Sequence, residues 1–386
     1  MQQNQKYIVP FNKPFLTGKE TEYIQQAVAS GKISGNGMFT QQCQKFFEKR
    51  YGFKKTLLTS SGTDALEMAA LLLNIQPGDE VIVPAYTFVS TANAFVLRGA
   101  KIVFADSSPQ HPNLDVTKLE SLITPRTKVI VPVHYAGIAC DMQQIMSIAK
   151  KHNLFVVEDA AHALDSFYKE PNGLEKPLGS LGHLAAFSFH ETKNIIAGEG
   201  GMLVINDSQF IQRAEIIWEK GTNRAAFFRD EIDKYEWVDV GSSFLPSEIM
   251  AAFLWAQLEN LEVIQTRRKA IWTTYHDSLK ELGQQNKLQL PVIPASATNN
   301  GFGYYVLCQN LAQRTDIIHY LEQKGVLAVF HYLALHKSPF YHQKHDGREL
   351  SCADRYTDTL LRLPFYYDLR DEEIQFICFQ IKQFLA

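Results

Sequence analysis

Unbroken apolar runs alternate with amphipathic stretches between residues 55 and 205. The runs at 80–84, 101–106, 128–133 and 154–157 are rich in β-branched residues. The stretches between them repeat apolar residues at helical spacing, which predicts helices at 65–73, 87–97 and 140–152. Apolar strands separated by helices predict a largely parallel sheet that is covered on both faces. We therefore predict an α/β fold whose ligands bind at the carboxyl ends of the strands.

The C-terminal part follows a mixed pattern of helices and short strands. One helix is predicted to run from Ser247 into Arg267 and Arg268, a strand is predicted at 326–330, and the last helix at 371–384. Because 386 residues exceed one small domain, this change of pattern predicts two domains. They are a large α/β domain with the N-terminal segment at 1–258 and a smaller α+β domain at 259–386.

The composition is ordinary for a globular protein. Hydrophobic residues make up 46% of the chain and the net charge is −3, which favours neither nucleic acid nor an anionic membrane as a partner. No apolar run approaches the ~18 residues of a membrane span. The five cysteines are scattered, which predicts free thiols rather than disulfides or zinc ligands. We expect a cytoplasmic protein without a bound metal and without a signal peptide.

Lys193 closes the stretch Phe-Ser-Phe-His-Glu-Thr-Lys and precedes a glycine-rich turn at 198–201. An apolar setting disfavours the charged ammonium, and a neutral amine can bind an aldehyde cofactor as a Schiff base. Ser188, five residues earlier, can bind a phosphate. A lysine in such a turn is more often solvated, and for this motif alone that alternative stays open.

A second candidate is the Ser-Gly-Thr sequence at 61–63, between a short apolar strand and a strongly helical stretch. The first amides of a helix lack partners and lie at the positive end of its dipole, and Gly62 lets a ligand approach the backbone. This arrangement suits a phosphate that Gly62 and Thr63 would bind. A helix cap without a ligand is an equally good explanation of the motif.

Asp159 lies at the end of a predicted strand, 34 residues before Lys193. A carboxylate there can pair with a protonated ring nitrogen and keep a pyridinium charged, so that the ring accepts electrons. A helix cap or a structural ion pair is the alternative. A residue such as His162 is more commonly a core histidine, and Phe88, which could stack on a cofactor ring, follows a strand, where an aromatic more often belongs to the core.

These pieces, taken together and in this order, resemble the sugar-nucleotide aminotransferases, which are fold-type-I enzymes that use pyridoxal 5'-phosphate (PLP). The resemblance covers nearly the whole chain, and the stretches at 82–95, 131–137, 219–224 and 241–245 resemble members that act on 4-keto sugar nucleotides. It implies a large domain with a mostly parallel seven-stranded sheet and a smaller α+β C-terminal domain. The implied reaction transfers an amino group from L-glutamate to dTDP-4-keto-6-deoxyglucose.

The resemblance also implies the roles of the cofactor-binding residues. Lys193 binds the PLP aldehyde and then moves a proton, and Asp159 pairs with the ring nitrogen. Phe88 stacks on the ring, and His162, where many relatives have Gln, contacts the phenolic oxygen. The implied phosphate ligands are Gly62, Thr63 and Ser188.

Partners and substrate contacts are implied in the same way. Members of the family are homodimers in which the neighbouring subunit completes the phosphate site, and many carry Asn in the turn where this chain has Ser243. The partners are then the sugar nucleotide, L-glutamate and its product 2-oxoglutarate. The implied substrate-binding residues are Lys220, Asn223, Arg224, His331 and Tyr332.

Three other functions share parts of this pattern. A 3-keto sugar nucleotide is an alternative substrate for the same chemistry. Related PLP-dependent sugar dehydratases replace the Schiff-base lysine by His, whereas this chain retains Lys193 and has His190 three residues away. A non-catalytic sugar-nucleotide binder of the same fold is disfavoured because Lys193, Asp159 and Ser188 are present together.

Overall fold

The computed structural model describes residues 8–386, and the prediction about a signal peptide at the N-terminus concerns residues outside this range. The strands within it are β1 Lys55–Thr59, β2 Glu80–Pro84, β3 Lys101–Ala105, β4 Thr127–Ile130, β5 Phe155–Asp159, β6 Phe167–Lys169, β7 Glu175–Pro177, β8 Leu184–Ser188, β9 Gly201–Ile205, β10 Tyr305–Leu307 and β11 Leu360–Arg362.

A seven-stranded sheet with the order β1-β9-β8-β5-β4-β2-β3 forms the centre of the described chain. Neighbouring strands from β8 through β5, β4 and β2 to β3 are parallel, and only β9 pairs antiparallel with both its neighbours. The predicted fold class, an α/β fold with a mostly parallel seven-stranded sheet, is confirmed. Six of the seven carboxyl ends therefore meet at one edge, where the predicted site residues of β5 and β8 lie.

The helices of the described residues cover the sheet and form most of the C-terminal part. Several begin with a side chain that accepts a first-turn N–H, as Ser61, Asp141 and Ser247 do. The α-helices are α1 Glu20–Ala29, α2 Met38–Tyr51, α3 Gly62–Leu72, α4 Val89–Val96, α5 Met142–His152, α6 Ile211–Trp218, α7 Arg224–Phe228, α8 Glu248–Glu259, α9 Leu261–Gln284, α10 Leu311–Gln323, α11 Ser351–Thr359 and α12 Asp371–Phe384.

Both faces of the sheet are buried. Leu57 and Val81 belong to one apolar cluster, whereas their chain neighbours Leu58 and Ile82 belong to another. Because successive strand residues point to opposite faces, the two clusters are the two layers that the helices cover. This explains why the strands are apolar without alternation.

The C-terminal part has its own apolar cluster, built mainly from α9, α10 and α12 and also including Val9. This part also contains a short antiparallel pair of strands, β10 and β11. Val9 lies there because it pairs with Val326. The predicted domain boundary at 258/259 stays a prediction.

Three element predictions are wrong in detail. The strand at 326–330 does not form, because Val326 and Val329 make only isolated bridges to two different partners, Val9 and Arg362. The helix predicted through Ser247–Arg268 is interrupted at Asn260, where α8 ends and α9 begins. The predicted strand at 128–133 ends early, at Ile130: beyond it only an isolated bridge joins Val133 to Asp159, because Pro132 has no N–H to donate although its carbonyl still accepts the N–H of Asp159.

Among the residues that the structure describes, no helix combines the length and apolar character that crossing a bilayer requires.

Candidate active site

A cleft of about 540 Å³ lies at the carboxyl ends of β5 and β8. It collects side chains that are far apart in the sequence, from the starts of α3 and α4 and from the C-terminal part of the chain. The predicted site residues that line it are Gly62, Thr63, Phe88, Asp159, His162, Ser188, Lys193, His331 and Tyr332.

The start of α3 forms one wall of the cleft. Ser61 caps the helix by accepting the N–H of Asp64 at 3.0 Å, so the N–H groups of Gly62 and Thr63 remain available to a ligand. A Cβ on Gly62 would lie 2.9 Å from the Cβ of Ser188. Glycine is therefore required here, because it allows the helix start and the end of β8 to share one anion site.

Asp159 ends β5 and is buried, and both of its carboxylate oxygens have partners. Oδ2 accepts a hydrogen bond from the Thr91 hydroxyl at 2.7 Å, and Oδ1 accepts the N–H of Ala161 at 3.1 Å. Thr91 lies on α4 and contacts the Thr87 hydroxyl at 2.9 Å. These bonds hold the carboxylate in one orientation at the bottom of the cleft. Sequence reasoning missed Thr91, although it lies one helical turn after Phe88.

Lys193 lies in the turn between β8 and β9, partly buried in the wall of the cleft. The pKa of its amine is lowered to about 8: burial is the largest cause, the negative charge of Asp159 opposes it, and the positive charge of Arg362 adds to it. The Nζ atom lies 5.4 Å from the centroid of the Phe302 ring. The amine is therefore partly neutral near physiological pH, as a nucleophile or general base requires.

His162 is held as a neutral hydrogen-bond donor. Its ring stacks on Phe302 with centroids 3.8 Å apart, and burial and the nearby Lys193 hold its pKa well below the usual value. Nδ1 accepts the N–H of Ala136 at 3.3 Å, so the ring proton is on Nε2, 3.4 Å from the Tyr332 hydroxyl.

His331 and Tyr332 form the wall on the side of the C-terminal part. Their rings stack with centroids 3.5 Å apart, and the Tyr135 hydroxyl lies 2.7 Å from Nδ1 of His331. Burial and the charge of Arg362 hold the pKa of His331 well below its usual value, whereas burial holds the pKa of Tyr135 well above its own. Tyr135 therefore donates its hydroxyl hydrogen to Nδ1 of His331, and the ring proton of the neutral His331 is on Nε2.

The remaining predicted residues lie outside this cleft. Lys220, Arg224 and Ser243 line a separate cleft of about 530 Å³. Asn223 lies in the adjoining loop, where its side-chain Oδ1 accepts the N–H of Glu236 at 2.7 Å. Within one chain the structure does not bring these four residues to Lys193.

Phe302 and Arg362 line the cleft and were not predicted from the sequence. Arg268 positions Phe302 by donating hydrogen bonds to the carbonyls of Gly301 and Phe302 at 3.0 and 2.7 Å. The Gly-Phe-Gly sequence at 301–303 could have indicated this turn. Nothing in that sequence indicates which ring Phe302 contacts.

The cleft has the groups that PLP requires. A helix start with Ser188 suits its phosphate, the fixed carboxylate of Asp159 suits its ring nitrogen, and the partly neutral amine of Lys193 suits its aldehyde. Phe88, half exposed at the cleft, offers a ring face. Fold and cleft together define a PLP-dependent enzyme of fold type I.

The comparison with known proteins gives the family. The profile of the DegT/DnrJ/EryC1/StrS aminotransferase family matches residues 14–382. The chain belongs to this family and is a PLP-dependent sugar aminotransferase. Membership implies a sugar substrate and an amino donor of the glutamate type.

Individual relatives cover nearly the whole chain. GDP-perosamine synthase of Caulobacter vibrioides is 34% identical over 377 residues, which are 97% of each chain. The spore coat polysaccharide biosynthesis protein SpsC of Bacillus subtilis is 33% identical over 384 residues, 97% of this chain and 96% of SpsC. The PLP form of Spr1654 from Streptococcus pneumoniae matches with a TM-score of 0.88 and 27% identity, over 98% and 99% of the two chains.

Proposed function

We propose that the protein transfers the amino group of L-glutamate to carbon 4 of a 4-keto-6-deoxy sugar nucleotide. The substrate is dTDP-4-keto-6-deoxyglucose, and the product dTDP-4-amino-4,6-dideoxygalactose serves a cell-surface polysaccharide such as the enterobacterial common antigen. The reaction takes place in the cytoplasm. The observation that carries the proposal is one cleft in which a partly neutral Lys193 and a fixed Asp159 meet.

The chain's own residues divide the chemistry between them. PLP, when bound, supplies a ring that accepts an electron pair from the carbon next to the transferred nitrogen. Asp159 keeps the ring nitrogen protonated, and Thr91 holds that carboxylate in place. Lys193 removes the α-proton of the donor and delivers a proton to carbon 4 of the sugar in the second half-reaction.

Cofactor binding is assigned to the residues around this pair. Phe88 covers one face of the ring, and His162 donates its Nε2–H to the phenolic oxygen. The phosphate binds to Gly62, Thr63 and Ser188.

The second cleft supplies the rest of the site in a homodimer. Ser243 of a neighbouring subunit contacts the cofactor phosphate, and Lys220, Asn223 and Arg224 of that subunit bind the nucleotide, while His331 and Tyr332 of the first subunit bind the sugar. In support, Lys220, Arg224 and Ser243 share one basic cleft that is separate from Lys193.

The experiment that tests the proposal is incubation of the protein with L-glutamate and dTDP-4-keto-6-deoxyglucose, followed by NMR of the product. We expect a 4-amino sugar with the galacto configuration, together with 2-oxoglutarate. The Lys193→Ala variant serves as the matched control and should give no product. Turnover of a 3-keto isomer alone would overturn the assignment to carbon 4.

A GDP-linked 4-keto sugar is the second substrate to test, because one relative is a GDP-perosamine synthase. A preference for the GDP-linked sugar would overturn the assignment of dTDP while keeping the amino transfer.

A further inference from the structure

The amine of Lys193 is placed by its surroundings and not by a bond of its own. Among the residues that the structure describes, its Nζ atom has neither a hydrogen bond nor an ion pair, and the centroid of the Phe302 ring lies 5.4 Å away. The position of the amine therefore depends on the backbone of its turn and on the Phe302 ring. Both are held by a group of buried amide side chains.

Asn194 follows Lys193 in the chain, and its side chain is buried. Nδ2 of Asn194 donates two hydrogen bonds, to Oε1 of Gln265 at 2.9 Å and to the backbone carbonyl of Asn300 at 3.0 Å. Because a backbone carbonyl can only accept, the amide must present its NH2 group on this side. The turn that carries Lys193 is thereby bonded to α9 and to the segment that carries Phe302.

Asn300 is the centre of this group and is fully buried. Its Oδ1 accepts the N–H of Phe302 at 3.0 Å. Its Nδ2 donates to the carbonyls of His162 at 2.8 Å and of Leu164 at 2.9 Å. Gln265 donates to the same Leu164 carbonyl at 3.4 Å. One side chain therefore bonds the segments of both His162 and Phe302, whose rings stack on each other in the cleft.

Gly137 packs directly against the side chain of Asn300. A Cβ at Gly137 would overlap Oδ1 of Asn300, and the positive φ of 76° also favours glycine at this position. Buried amide groups are costly to leave unpaired, so the bonds of Asn300 resist displacement. The buried amides therefore connect the turn of Lys193 rigidly to the segments on the other side of the cleft.

The proposed reaction requires such rigidity, because one amine has to move a proton in both half-reactions. A lysine side chain without a hydrogen bond has many rotamers of similar energy. A misplacement of about 1 Å can lower the rate of a reaction about a hundredfold. A fixed backbone, together with a ring next to the amine, limits this freedom.

We propose that Asn300, together with Asn194, positions Lys193 in the active site. It does so by joining the turn of Lys193 to the segments that carry His162 and Phe302. Neither asparagine lines the cleft, so both are positioning residues that act through their neighbours. This inference rests on the proposed function, in which Lys193 transfers the proton in both half-reactions.

The test compares Asn194→Ala with the wild type in single-turnover half-reactions, followed by the absorbance change of the bound cofactor. We expect the rate constant at saturating substrate to fall about 10- to 100-fold in both half-reactions, because the same amine moves the proton in each. The half-saturating concentrations of L-glutamate and of the keto sugar should stay unchanged, since Asn194 does not line the cleft. Asn300→Ala should change the rate constants in the same direction.

A second readout does not depend on turnover. The cofactor-free protein is mixed with PLP at several pH values, and the rate of Schiff-base formation gives the pKa of the Lys193 amine, which is about 8 in the wild type. For Asn194→Ala we expect this pKa to rise, because an amine that is no longer held in place reaches water and is protonated more easily. A role in stability alone would leave the pKa of the folded variant unchanged.

Asn206→Ala is the matched control. Nδ2 of Asn206 also donates to two backbone carbonyls, those of Gly179 at 2.8 Å and Gly182 at 2.9 Å, but Asn206 follows β9 at the edge of the sheet opposite the cleft. This variant should lose stability without a change in the rate constants or in the pKa of Lys193. Thermal unfolding shows which variants are folded, and Asn194→Ser, which keeps one donor, carries the test if Asn194→Ala does not fold.

Unchanged rate constants and an unchanged pKa in folded Asn194→Ala would overturn the proposal, as would equal effects in Asn206→Ala. A change confined to the half-saturating concentrations would also overturn it, because it would indicate a role in substrate binding. If the wild type transferred no amino group, the proposed function would fail. A raised pKa of Lys193 in Asn194→Ala would then still support the positioning role.

Discussion

At the scale of the residue, burial decides the charge of Lys193. Without the cofactor its pKa is about 8 in the folded protein, against 10.5 as the ordinary value. The folded state therefore binds fewer protons than the unfolded chain between these pH values, and stability rises with pH through this window. The charged amine is most destabilising below pH 8, where burial opposes the ammonium.

We therefore predict that Lys193→Met stabilises the cofactor-free protein at pH 7 by on the order of 3 kcal/mol. The gain should disappear as the pH approaches 10.5, because the wild-type amine is then neutral in both states. Urea unfolding at several pH values measures this difference, with Lys45→Met on the exposed face of α2 as the control. A gain that does not change with pH would contradict the explanation.

Tyr135 is a positioning residue that orients the ring of His331. Its hydroxyl donates to Nδ1 of His331 and so keeps the other ring nitrogen protonated. We predict that Tyr135→Phe raises the half-saturating concentration of the keto sugar about tenfold, because the bond that orients His331 is lost. The glutamate half-reaction should stay unchanged.

Tyr305→Phe is the control for this prediction, since the Tyr305 ring packs on Tyr135 at 5.7 Å but its hydroxyl has no bond to His331. If both variants behaved alike, the effect would come from packing and not from the tautomer.

At the scale of the element, Glu248 links two helices near the second cleft. Its buried carboxylate lies at the start of α8 and accepts the N–H groups of Gly37, Phe39 and Thr40, so it caps α2 from outside. Since a carboxylate can accept several such bonds where an amide has one oxygen, its charge matters for stability.

We predict that Glu248→Gln lowers the free energy of unfolding by about 2 kcal/mol. Glu259→Gln makes the same change at the other end of α8, where the carboxylate is solvent-exposed and bonds the Tyr23 hydroxyl, and should cost less. Chemical denaturation measures the free energy of unfolding of both variants. Equal losses of stability in the two variants would argue against the capping role of Glu248.

At the scale of the whole molecule, the predicted site residues fall into two clefts. Lys193 lies in one, and Lys220 and Ser243 lie in the other. Two identical chains in a symmetric dimer can bring the second cleft of each subunit to the first cleft of its neighbour.

A mixing experiment tests this arrangement. We predict that Lys193→Ala and the double variant Lys220→Ala, Ser243→Ala each lose activity, and that a 1:1 mixture, in which about half of the dimers are hybrids, regains about a quarter of the wild-type activity. Each hybrid has one site with both halves intact. Hybrids that form, as mass measurement of differently tagged subunits shows, but regain nothing would place the second cleft outside the active site.

Much of the fold follows from local pattern. Strand β2 was predicted with its observed bounds, 80–84, because its apolar run lies between turn residues. The strand at 326–330 failed because the same β-branched pattern found no continuous partner strand. A strand requires a partner that the local sequence does not specify.

For the site residues too, some features follow from the local sequence and others only from the tertiary structure. The sequence by itself determined the α/β pattern, the glycine at the start of α3 and the presence of Lys193 and Asp159, because strand ends and helix starts depend on near neighbours. Only the tertiary structure decided that Thr91 bonds Asp159 across 68 residues, and that Arg362 reaches Phe11 and the cleft. It also decided the charge of Lys193, because burial depends on atoms that meet only after the chain has folded.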